Sequence, residues 1–304
     1  MRIVRSIENY EAGADLLLSI GVFDGVHIGH RTVLSRLLSL RKPGAIVGAL
    51  TFEHHPQEFL QPGRAPKVIT TLDEKINLLA ECGLDVLFLL PFDERIQSVT
   101  AEKFLREILL RRLRMRALIV GDQWRFGKGR EGDVALARSI LRADGCAFEA
   151  APLLERDGEK VSSSRIRELI AEKRFEQADV LLGSPYQVRG IVSTGDGRGH
   201  ELGYPTANLA IIPEKLIPPA GVYATRAHHN GRTHLSVTSI GDKPTFGGSD
   251  LTVETYIPGF DKTIYGDQIA LTAWRFIRNQ ERFSGREELI QQMALDVKHA
   301  LSNV

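Results

Sequence analysis

The segment Gly21–His30, with the sequence GVFDGVHIGH, has the residue types and spacing of an anion-binding turn. It follows a short apolar run and precedes a stretch with helical periodicity. His27 and His30 would then lie at the start of that helix, where backbone N–H groups and the helix dipole favour a negative ligand. Gly21 and Gly25 allow the main chain to approach a phosphate closely. The segment therefore predicts a phosphate-binding site between a strand and a helix.

Three further segments carry polar or aromatic residues where a strand should end or a helix begin. They are TFEHHP (51–56), GDQWRFGKGREGD (121–133) and VSSSRIR (161–167). Each is weak alone, because a serine run before a helix is usually a cap and a glycine- and lysine-rich stretch is usually a solvated loop. The sequence contains no GxxxxGK[ST] motif and no GxGxxG after a strand, which leaves GVFDGVHIGH as the main phosphate candidate.

A second candidate segment is GDGRGHELGYPTANL (195–209). Thr206 and Asn208 alternate along an extended chain, so both side chains can face one ligand. A hydroxyl and an amide oxygen are hard ligands that suit Mg²⁺. Taken alone, the segment is more typical of a glycine-rich hairpin with a polar turn, so its interpretation depends on the motifs that come after it in the chain.

Composition excludes several classes of protein. The chain has 304 residues, and 39 Lys and Arg against 38 Asp and Glu give a formal net charge of +1, which disfavours a nucleic-acid or anionic-membrane surface. Cys82 and Cys146 form no CxxC pair, so neither a zinc knuckle nor a disulfide framework is indicated. No apolar run approaches the roughly 20 residues of a membrane span, and the N-terminus lacks a signal-peptide pattern. We expect a soluble, cytoplasmic protein that acts on small molecules and has no obligate protein partner.

The pattern of elements changes once along the chain, at Gly183-Ser184-Pro185. Before that point, apolar runs alternate with helical segments, and Thr71 and Glu74 have the spacing of a capping box. This alternation predicts a doubly wound, Rossmann-like α/β domain with a parallel sheet over residues 1–184. The expected strands are 16–20, 45–52, 84–92, 117–120 and 147–154, and the expected helices are 30–40, 74–80, 101–113, 134–141 and 165–182.

Residues 185–304 are rich in short β-prone stretches separated by Gly, Pro, Asn and Asp. Such a pattern favours a small antiparallel barrel or sandwich. Ser284 and Glu287 have capping-box spacing and predict a final helix. The expected strands are 187–192, 221–226, 235–240, 251–257 and 269–277.

In order and spacing, these motifs resemble the bacterial bifunctional riboflavin kinase/FMN adenylyltransferase family, over roughly residues 15–300. GVFDGVHIGH is similar to the HxGH signature of nucleotidyltransferases, and the segments at 51–56, 121–133 and 161–167 come after it as in the FMN adenylyltransferase module. The PTAN sequence (205–208) is similar to that of the riboflavin kinase domain. It is followed in the family's order by PPAGVYATR (218–226), SIGDKPTFGG (239–248), VETYIPGF (253–260) and IYGDQI (264–269).

The resemblance implies two reactions: ATP and riboflavin give FMN in the C-terminal domain, and ATP and FMN give FAD and pyrophosphate in the N-terminal domain, with Mg²⁺ as cofactor. It implies catalytic roles for His27, His30, Arg167 and Glu254, the last as the base that acts on the ribityl hydroxyl. Thr206 and Asn208 match the metal positions. The implied ATP or phosphate contacts are Gly21, Phe23, Asp24, Gly25, Gly29, Ser163, Ser164, Gly195, Arg198, Gly203, Thr206 and Asn208. The implied flavin contacts are His55, Gln123, Trp124, Arg125 and Phe126.

Four positions depart from the family pattern. His54 stands where the family has proline, Gln123 where it has Asn or Asp, His200 for Arg and Ser239 for Asn. These departures concern flavin contacts and relative rates more than phosphate chemistry. An FMN adenylyltransferase with a degenerate kinase domain is the enzymatic alternative, and a flavin- or nucleotide-binding regulator without turnover is another. An aminoacyl-tRNA synthetase shares an HxGH-type segment, but the balanced charge disfavours it.

Overall fold

The computed structural model describes residues 1–8, 10–195, 199, 202–245 and 248–302. The chain divides into two compact units, Met1–Ser163 and Ser164–Val304. The helical segment that precedes residue 184 therefore groups with the second unit. The sequence domain boundary between residues 184 and 185 stays a prediction.

The first unit is built on a six-stranded parallel sheet with the strand order β1-β4-β3-β2-β5-β6. This order confirms the predicted doubly wound α/β fold, and the direction of winding reverses at β2. The strands are β1 (Arg2–Val4), β2 (Leu16–Ile20), β3 (Ile46–Phe52), β4 (Val86–Leu90), β5 (Met115–Gly121) and β6 (Ala147–Ala151). The three-residue edge strand β1 was not predicted, and neither was the hairpin of β7 (Glu155–Arg156) and β8 (Glu159–Lys160).

Helices cover both faces of this sheet because successive strand residues are buried on opposite sides. The helices are α1 (Ile28–Ser39), α2 (Pro56–Leu60), α3 (Leu72–Glu81), α4 (Glu94–Gln97), α5 (Ala101–Lys103), which continues as a π-helix over Phe104–Arg112, and α6 (Val134–Ala143). Leu16 and Leu18 pack in one apolar cluster with Leu105 of the π-helix. Leu17 and Val47 pack in the other cluster with residues of α1 and α3.

The second unit is a closed antiparallel barrel with the strand order β10-β13-β12-β11-β14-β9, preceded by two helices and followed by one. The barrel, rather than a sandwich, and the terminal helix are thus confirmed. Its elements are α7 (Ser163–Ala171), α8 (Phe175–Leu182), β9 (Val188–Ser193), β10 (Thr206–Ala210), β11 (Gly221–His229), β12 (Arg232–Thr245), β13 (Gly248–Tyr256), β14 (Gln268–Arg278) and α9 (Arg286–Ser302).

Two capping predictions can be compared directly. Thr71 and Glu74 form the expected reciprocal capping box at the start of α3. At α9 the expected pairing is wrong, because both the amide and the hydroxyl of Ser284 bond to Glu288 and not to Glu287. The helix begins at Arg286, so Glu288 is its third residue and occupies the position from which a side chain reaches back.

The described part of the chain contains no helix that is both long enough and apolar enough to span a bilayer.

Candidate active sites

The loop that joins β2 to α1 has a strained backbone. Phe23 and Val26 adopt positive φ values of 52° and 39°, and Gly25 has a φ of 84°. A left-handed conformation is costly for a β-branched residue, so the rest of the fold must hold it in place. Such strain is typical of functional loops, where it fixes the direction of backbone groups before a ligand binds.

Three distant segments hold this loop. The buried Asp24 carboxylate accepts hydrogen bonds from the backbone N–H groups of Ile69 and Thr70, at 2.9 and 3.1 Å. The Thr51 hydroxyl donates to the carbonyl of Val22 at 3.0 Å. The segment just before α3 and the end of β3 therefore fix the loop from two sides. The Asp24 carboxylate is itself used to bind backbone N–H groups of the protein.

Ser163 holds the loop from a third side, since its hydroxyl donates to the Asp24 carbonyl at 2.9 Å. Ser163 is the first residue of α7, and Ser164 and Arg167 lie in the opening turns of the same helix. Ser164 is exposed and Arg167 is half-buried. Within the predicted segment VSSSRIR, Ser163 therefore supports the turn that contains Asp24.

The two histidines come together at the start of α1. His27 caps the helix, and its Nδ1 accepts a hydrogen bond from the His30 backbone N–H at 3.3 Å. The two imidazole rings stack with centroids 3.6 Å apart, and Phe23 packs edge-on against His30 at 5.2 Å. Gly29 lies between them, where an added Cβ would stand 3.2 Å from the His27 ring.

Burial keeps both imidazoles neutral. Desolvation lowers the pKa of His27 to about 4, against the smaller opposing effect of a backbone hydrogen bond. Desolvation, with the charge of His27 as a second cause, also lowers the pKa of His30 well below its ordinary value. Among the described residues, Nδ1 of His30 has no hydrogen-bond partner. The site therefore offers neutral ring N–H groups to a ligand in the absence of bound anions.

The residues predicted to contact flavin lie beyond the ends of β3 and β5. His55 caps α2, with Nδ1 accepting from the Gln57 N–H at 3.2 Å, while His54 is exposed beside Glu58. Trp124 is half-buried and stacks on the buried Phe126, with ring centroids 4.1 Å apart. Gln123 and Arg125 are exposed, and Arg125 approaches Asp133 at 3.5 Å.

Sequence reasoning missed two features beside these residues. Phe52, Phe59 and Phe92 form a chain of edge-to-face contacts at 5.0 and 6.0 Å, at and beyond the ends of β3 and β4, and Phe59 is 44% exposed. The buried Lys75 donates to the Phe52 carbonyl at 2.7 Å, and desolvation lowers its pKa to about 8 despite the attraction of Asp24. The phenylalanine contacts could have been predicted, because aromatic residues directly follow the apolar runs. The burial of Lys75 could not, because in the sequence it resembles any solvent-facing lysine of a helix.

In the barrel, strand register brings the predicted kinase residues together. Asn208 on β10 lies opposite Glu254 on β13, and the Thr206 hydroxyl donates to the Glu254 carboxylate at 3.3 Å. Gly195 and Gly199 pack against these side chains, because an added Cβ would stand 2.2 Å from the Asn208 amide nitrogen and 3.1 Å from the Thr206 hydroxyl oxygen, respectively. The turn at Gly203 has a φ of 81°. The predicted Arg198 and the departure at His200 lie outside the described residues.

Two cavities of about 330 Å³ each meet at Thr206. The first, which we call the Glu254 cavity, contains Glu254 and is lined by apolar side chains of the barrel and of α9, including Val222 and Met293. The second, the loop cavity, contains Pro205 and Ala207 together with the segment that comes after β13.

The wall that α9 contributes to the Glu254 cavity is fixed by an ion pair. Arg278 and Asp296 form a two-pronged pair at 2.9 and 2.8 Å, and Asp296 is only 3% exposed. At the departing position, Ser239 accepts a hydrogen bond from the Gln280 amide at 2.9 Å. The long side chain of Gln280 therefore fills the space beside the short side chain of Ser239.

Taken together, the architecture is that of a two-domain nucleotide-dependent transferase: a doubly wound sheet with a histidine pair at a helix start, and a closed barrel with Thr, Asn and Glu in register. The FAD synthetase family matches residues 10–165, and the riboflavin kinase family matches residues 182–304. The bifunctional riboflavin kinase/FMN adenylyltransferase of Escherichia coli (strain K12) is 35% identical over 97% of this chain and 96% of its own. The enzyme of the same name from Bacillus subtilis (strain 168) is 33% identical over 96% and 93%.

This chain belongs to the bifunctional riboflavin kinase/FMN adenylyltransferase family, which confirms the resemblance seen in the sequence. A crystal structure described as a macrolide-efflux protein from Streptococcus pneumoniae has a TM-score of 0.88 and 26% identity, covering 99% of this chain and 98% of that one. A solved structure thus matches this chain over both units.

Proposed function

We propose that this chain uses ATP to phosphorylate riboflavin to FMN, and then transfers AMP from a second ATP to FMN to give FAD and pyrophosphate. The proposal draws on the relatives that share its full length and family. The observation that supports it is that each half brings together residues suited to phosphate chemistry: the stacked histidine pair in one and the Thr206–Glu254 contact in the other. An adenylyltransferase with a degenerate kinase domain is not favoured, because the kinase residues stand in register.

In the first unit, a phosphate oxygen of FMN attacks the α-phosphorus of ATP, and the bond from that phosphorus to the pyrophosphate oxygen breaks. His27 Nδ1 accepts the His30 N–H, so the proton of the neutral His27 ring is on Nε2, where it can donate to a phosphate oxygen. Phosphate binding would raise the pKa of both rings and add positive charge as negative charge accumulates. Positioning and charge neutralisation of this kind supply most of the rate in phosphoryl chemistry.

Further groups complete this proposed ATP site. We assign the main chain of Gly21, Phe23, Gly25 and Gly29 to phosphate binding, and Asp24 to holding that main chain in shape, because its carboxylate is bound to Ile69 and Thr70 N–H groups. Ser163 would contribute from the start of α7, and Ser164 and Arg167 remain phosphate contacts predicted from the sequence. For flavin we keep His55, Gln123, Trp124, Arg125 and Phe126, with Trp124 offering the ring face that Phe126 does not cover.

In the barrel, the position of Glu254 supports an assignment of one substrate to each cavity. A carboxylate that accepts the proton of the ribityl hydroxyl must touch riboflavin, so riboflavin belongs in the Glu254 cavity, among its apolar side chains. ATP then belongs in the loop cavity, with its terminal phosphate near Thr206, where the cavities meet. The bond from the hydroxyl oxygen to the γ-phosphorus forms as the bond to the bridging oxygen of ADP breaks, and Glu254 takes the proton.

The donor set at this junction fits Mg²⁺. The Thr206 hydroxyl and the Asn208 amide oxygen are hard ligands on neighbouring same-face positions of β10, and few protein ligands are needed when nucleotide phosphates and water supply the rest. When bound, the ion supplies positive charge to the phosphates. The domain boundary at 184/185, the cytoplasmic location and the lack of an obligate protein partner remain predictions from the sequence.

The direct test is to incubate the purified chain with riboflavin, ATP and Mg²⁺ and to separate the flavins by chromatography. FMN should appear first and FAD after it, and pyrophosphate should match FAD in amount. Recovery of neither product contradicts the proposal. FAD from supplied FMN, with no product from riboflavin, would favour the adenylyltransferase with a degenerate kinase domain.

A further inference from the structure

The segment of residues 257–267, which we call the 257–267 loop, joins β13 to β14 and forms one wall of the loop cavity. The wall includes Phe260, Lys262 and Tyr265. Lys262 and Tyr265 are exposed, whereas Phe260 is half-buried. At its far end, the loop is tied to β9 by a pair of backbone hydrogen bonds, in which Gly266 N–H donates to Val192 and Val192 N–H donates to Asp267, both at 2.9 Å.

One buried side chain contacts both arms of this loop. His229, the last residue of β11, is 9% exposed, and its Nε2 lies 2.7 Å from the Asp267 carboxylate. The ring also packs edge-on against Phe260 at 5.8 Å, and His234 on β12 packs on the same phenyl ring at 5.4 Å. The imidazole therefore joins the near arm of the loop, through Phe260, to the far arm, through Asp267.

His229 does not line either cavity. Besides the loop, its Nε2 contacts the amide of the adjacent Asn230 at 3.1 Å. We propose that His229 is a positioning residue for ATP binding by the kinase domain: it holds the 257–267 loop in the shape that the nucleotide requires. The inference rests on the proposed riboflavin kinase activity and on ATP in the loop cavity. Without the imidazole, the loop must be ordered when ATP binds, and that entropic cost weakens ATP binding.

The neighbouring His228 provides a matched control. Its imidazole bonds to Thr272 at 2.7 Å and to Thr233 at 3.0 Å, on the strands beside β11, and these contacts do not involve the 257–267 loop. We expect His229→Ala to raise the KM for ATP in the kinase reaction about tenfold, the scale of a lost hydrogen bond to a charged group. The kcat and the KM for riboflavin should stay within about twofold, and His228→Ala should leave the KM for ATP within about twofold.

A second pair of variants separates loop positioning from general damage to the barrel. Asp267→Asn changes the other partner, which is half-exposed, and should raise the KM for ATP in the same direction. The KM for ATP of the double variant should not exceed that of His229→Ala, because the two substitutions remove the same contact. His229→Gln, whose amide can still donate to Asp267, should recover part of the loss.

The outcomes are distinguishable. An unchanged KM for ATP in His229→Ala, or an equal loss of kcat and of riboflavin binding, overturns the positioning role. So does a His228→Ala variant that behaves like His229→Ala. A wild-type chain without kinase activity overturns the proposed function itself, and this is measured before any variant is compared.

Discussion

The β2–α1 loop and the β10–β13 strand pair, which we propose to bind phosphates in the two reactions, are built in opposite ways. The loop uses a strained main chain, with positive φ at Phe23 and Val26, and depends on partners such as Thr70 and Ser163 that are far away in sequence. The strand pair uses regular backbone and places Thr206, Asn208 and Glu254 by alternation and register. A site of the first kind presents backbone and ring N–H groups to an anion, whereas the second presents oxygen atoms to a metal ion and a hydroxyl.

The two regions also differ in what a single substitution can remove. A side chain on a regular strand can be exchanged without disturbing the backbone, so its chemical role can be tested cleanly. In the loop, side chains such as Asp24 hold the backbone itself, and their loss affects shape and chemistry together. Substitutions and changes of pH should therefore act differently on the two regions.

Replacing the base should give the largest and cleanest loss. Glu254→Gln keeps the size of the side chain and removes its ability to take a proton, so we expect kinase kcat to fall by about 10²–10⁴-fold. FAD formation from supplied FMN should not change. Initial rates of both reactions on the same preparation check this, and an equal loss in both would contradict the division into two sites.

Replacing a histidine of the pair should affect the other reaction. His30→Ala removes the ring that stacks on His27 in the proposed phosphate site, and we expect FAD formation to fall by about 10²–10³-fold. FMN formation from riboflavin should continue at the wild-type rate. If FMN formation stopped as well in a folded protein, the histidines could not belong to the adenylyltransferase site alone.

Acid should destabilise the first unit through its buried histidines. The folded pKa of His27 is about 4 against an ordinary value of 6.5, so the unfolded chain binds the proton first as pH falls, and stability is lost between those values. For His27 alone, we expect the free energy of unfolding to drop by roughly 3 kcal/mol from pH 7 to pH 4. Urea titration in a Trp274→Phe background, where Trp124 reports the first unit, measures it. His27→Asn, which can still cap α1, should flatten the dependence, and an equally steep curve would contradict the assignment.

Alkali should act in the opposite direction through Lys75. Burial lowers its pKa from 10.5 to about 8, so the charged form costs stability below pH 8 and this cost disappears as the pH rises towards 10.5. Relative to Lys75→Met, the wild-type chain should gain about 2 kcal/mol between pH 7.5 and 9.5 in the same urea assay. A difference that does not vary with pH would mean that the amine stays protonated throughout.

The sequence predicts the regular strands and helices well. It predicts poorly the contacts that hold the β2–α1 loop. Apolar runs located the long strands because both sheet faces are buried, but β1 has only three residues and its Arg2 and Ile3 are exposed. The pairing of Asp24 with Ile69 and Thr70 depends on how α3 approaches the sheet, which no local pattern encodes. The same holds for Lys75, whose burial results from its position under the end of β3.

In the barrel, more of the site was predictable. Alternation alone placed Thr206 and Asn208 on one face of an extended strand, as β10 shows. Their meeting with Glu254 required the register of β10 against β13, which the family resemblance supplied and periodicity could not. Neither periodicity nor the family resemblance predicted the contact of His229 with the 257–267 loop, because it depends on how one loop packs on two strands.

The ion pair between Arg278 and Asp296 fixes α9 as part of the wall of the Glu254 cavity, which we propose to hold riboflavin. Removal of the helix would expose a guanidinium group and open one side of a largely apolar chamber. Any change that loosens the last turns of α9, such as proteolytic trimming or a C-terminal tag, should therefore weaken the proposed riboflavin binding. The residues proposed to react, such as Glu254, would not be altered.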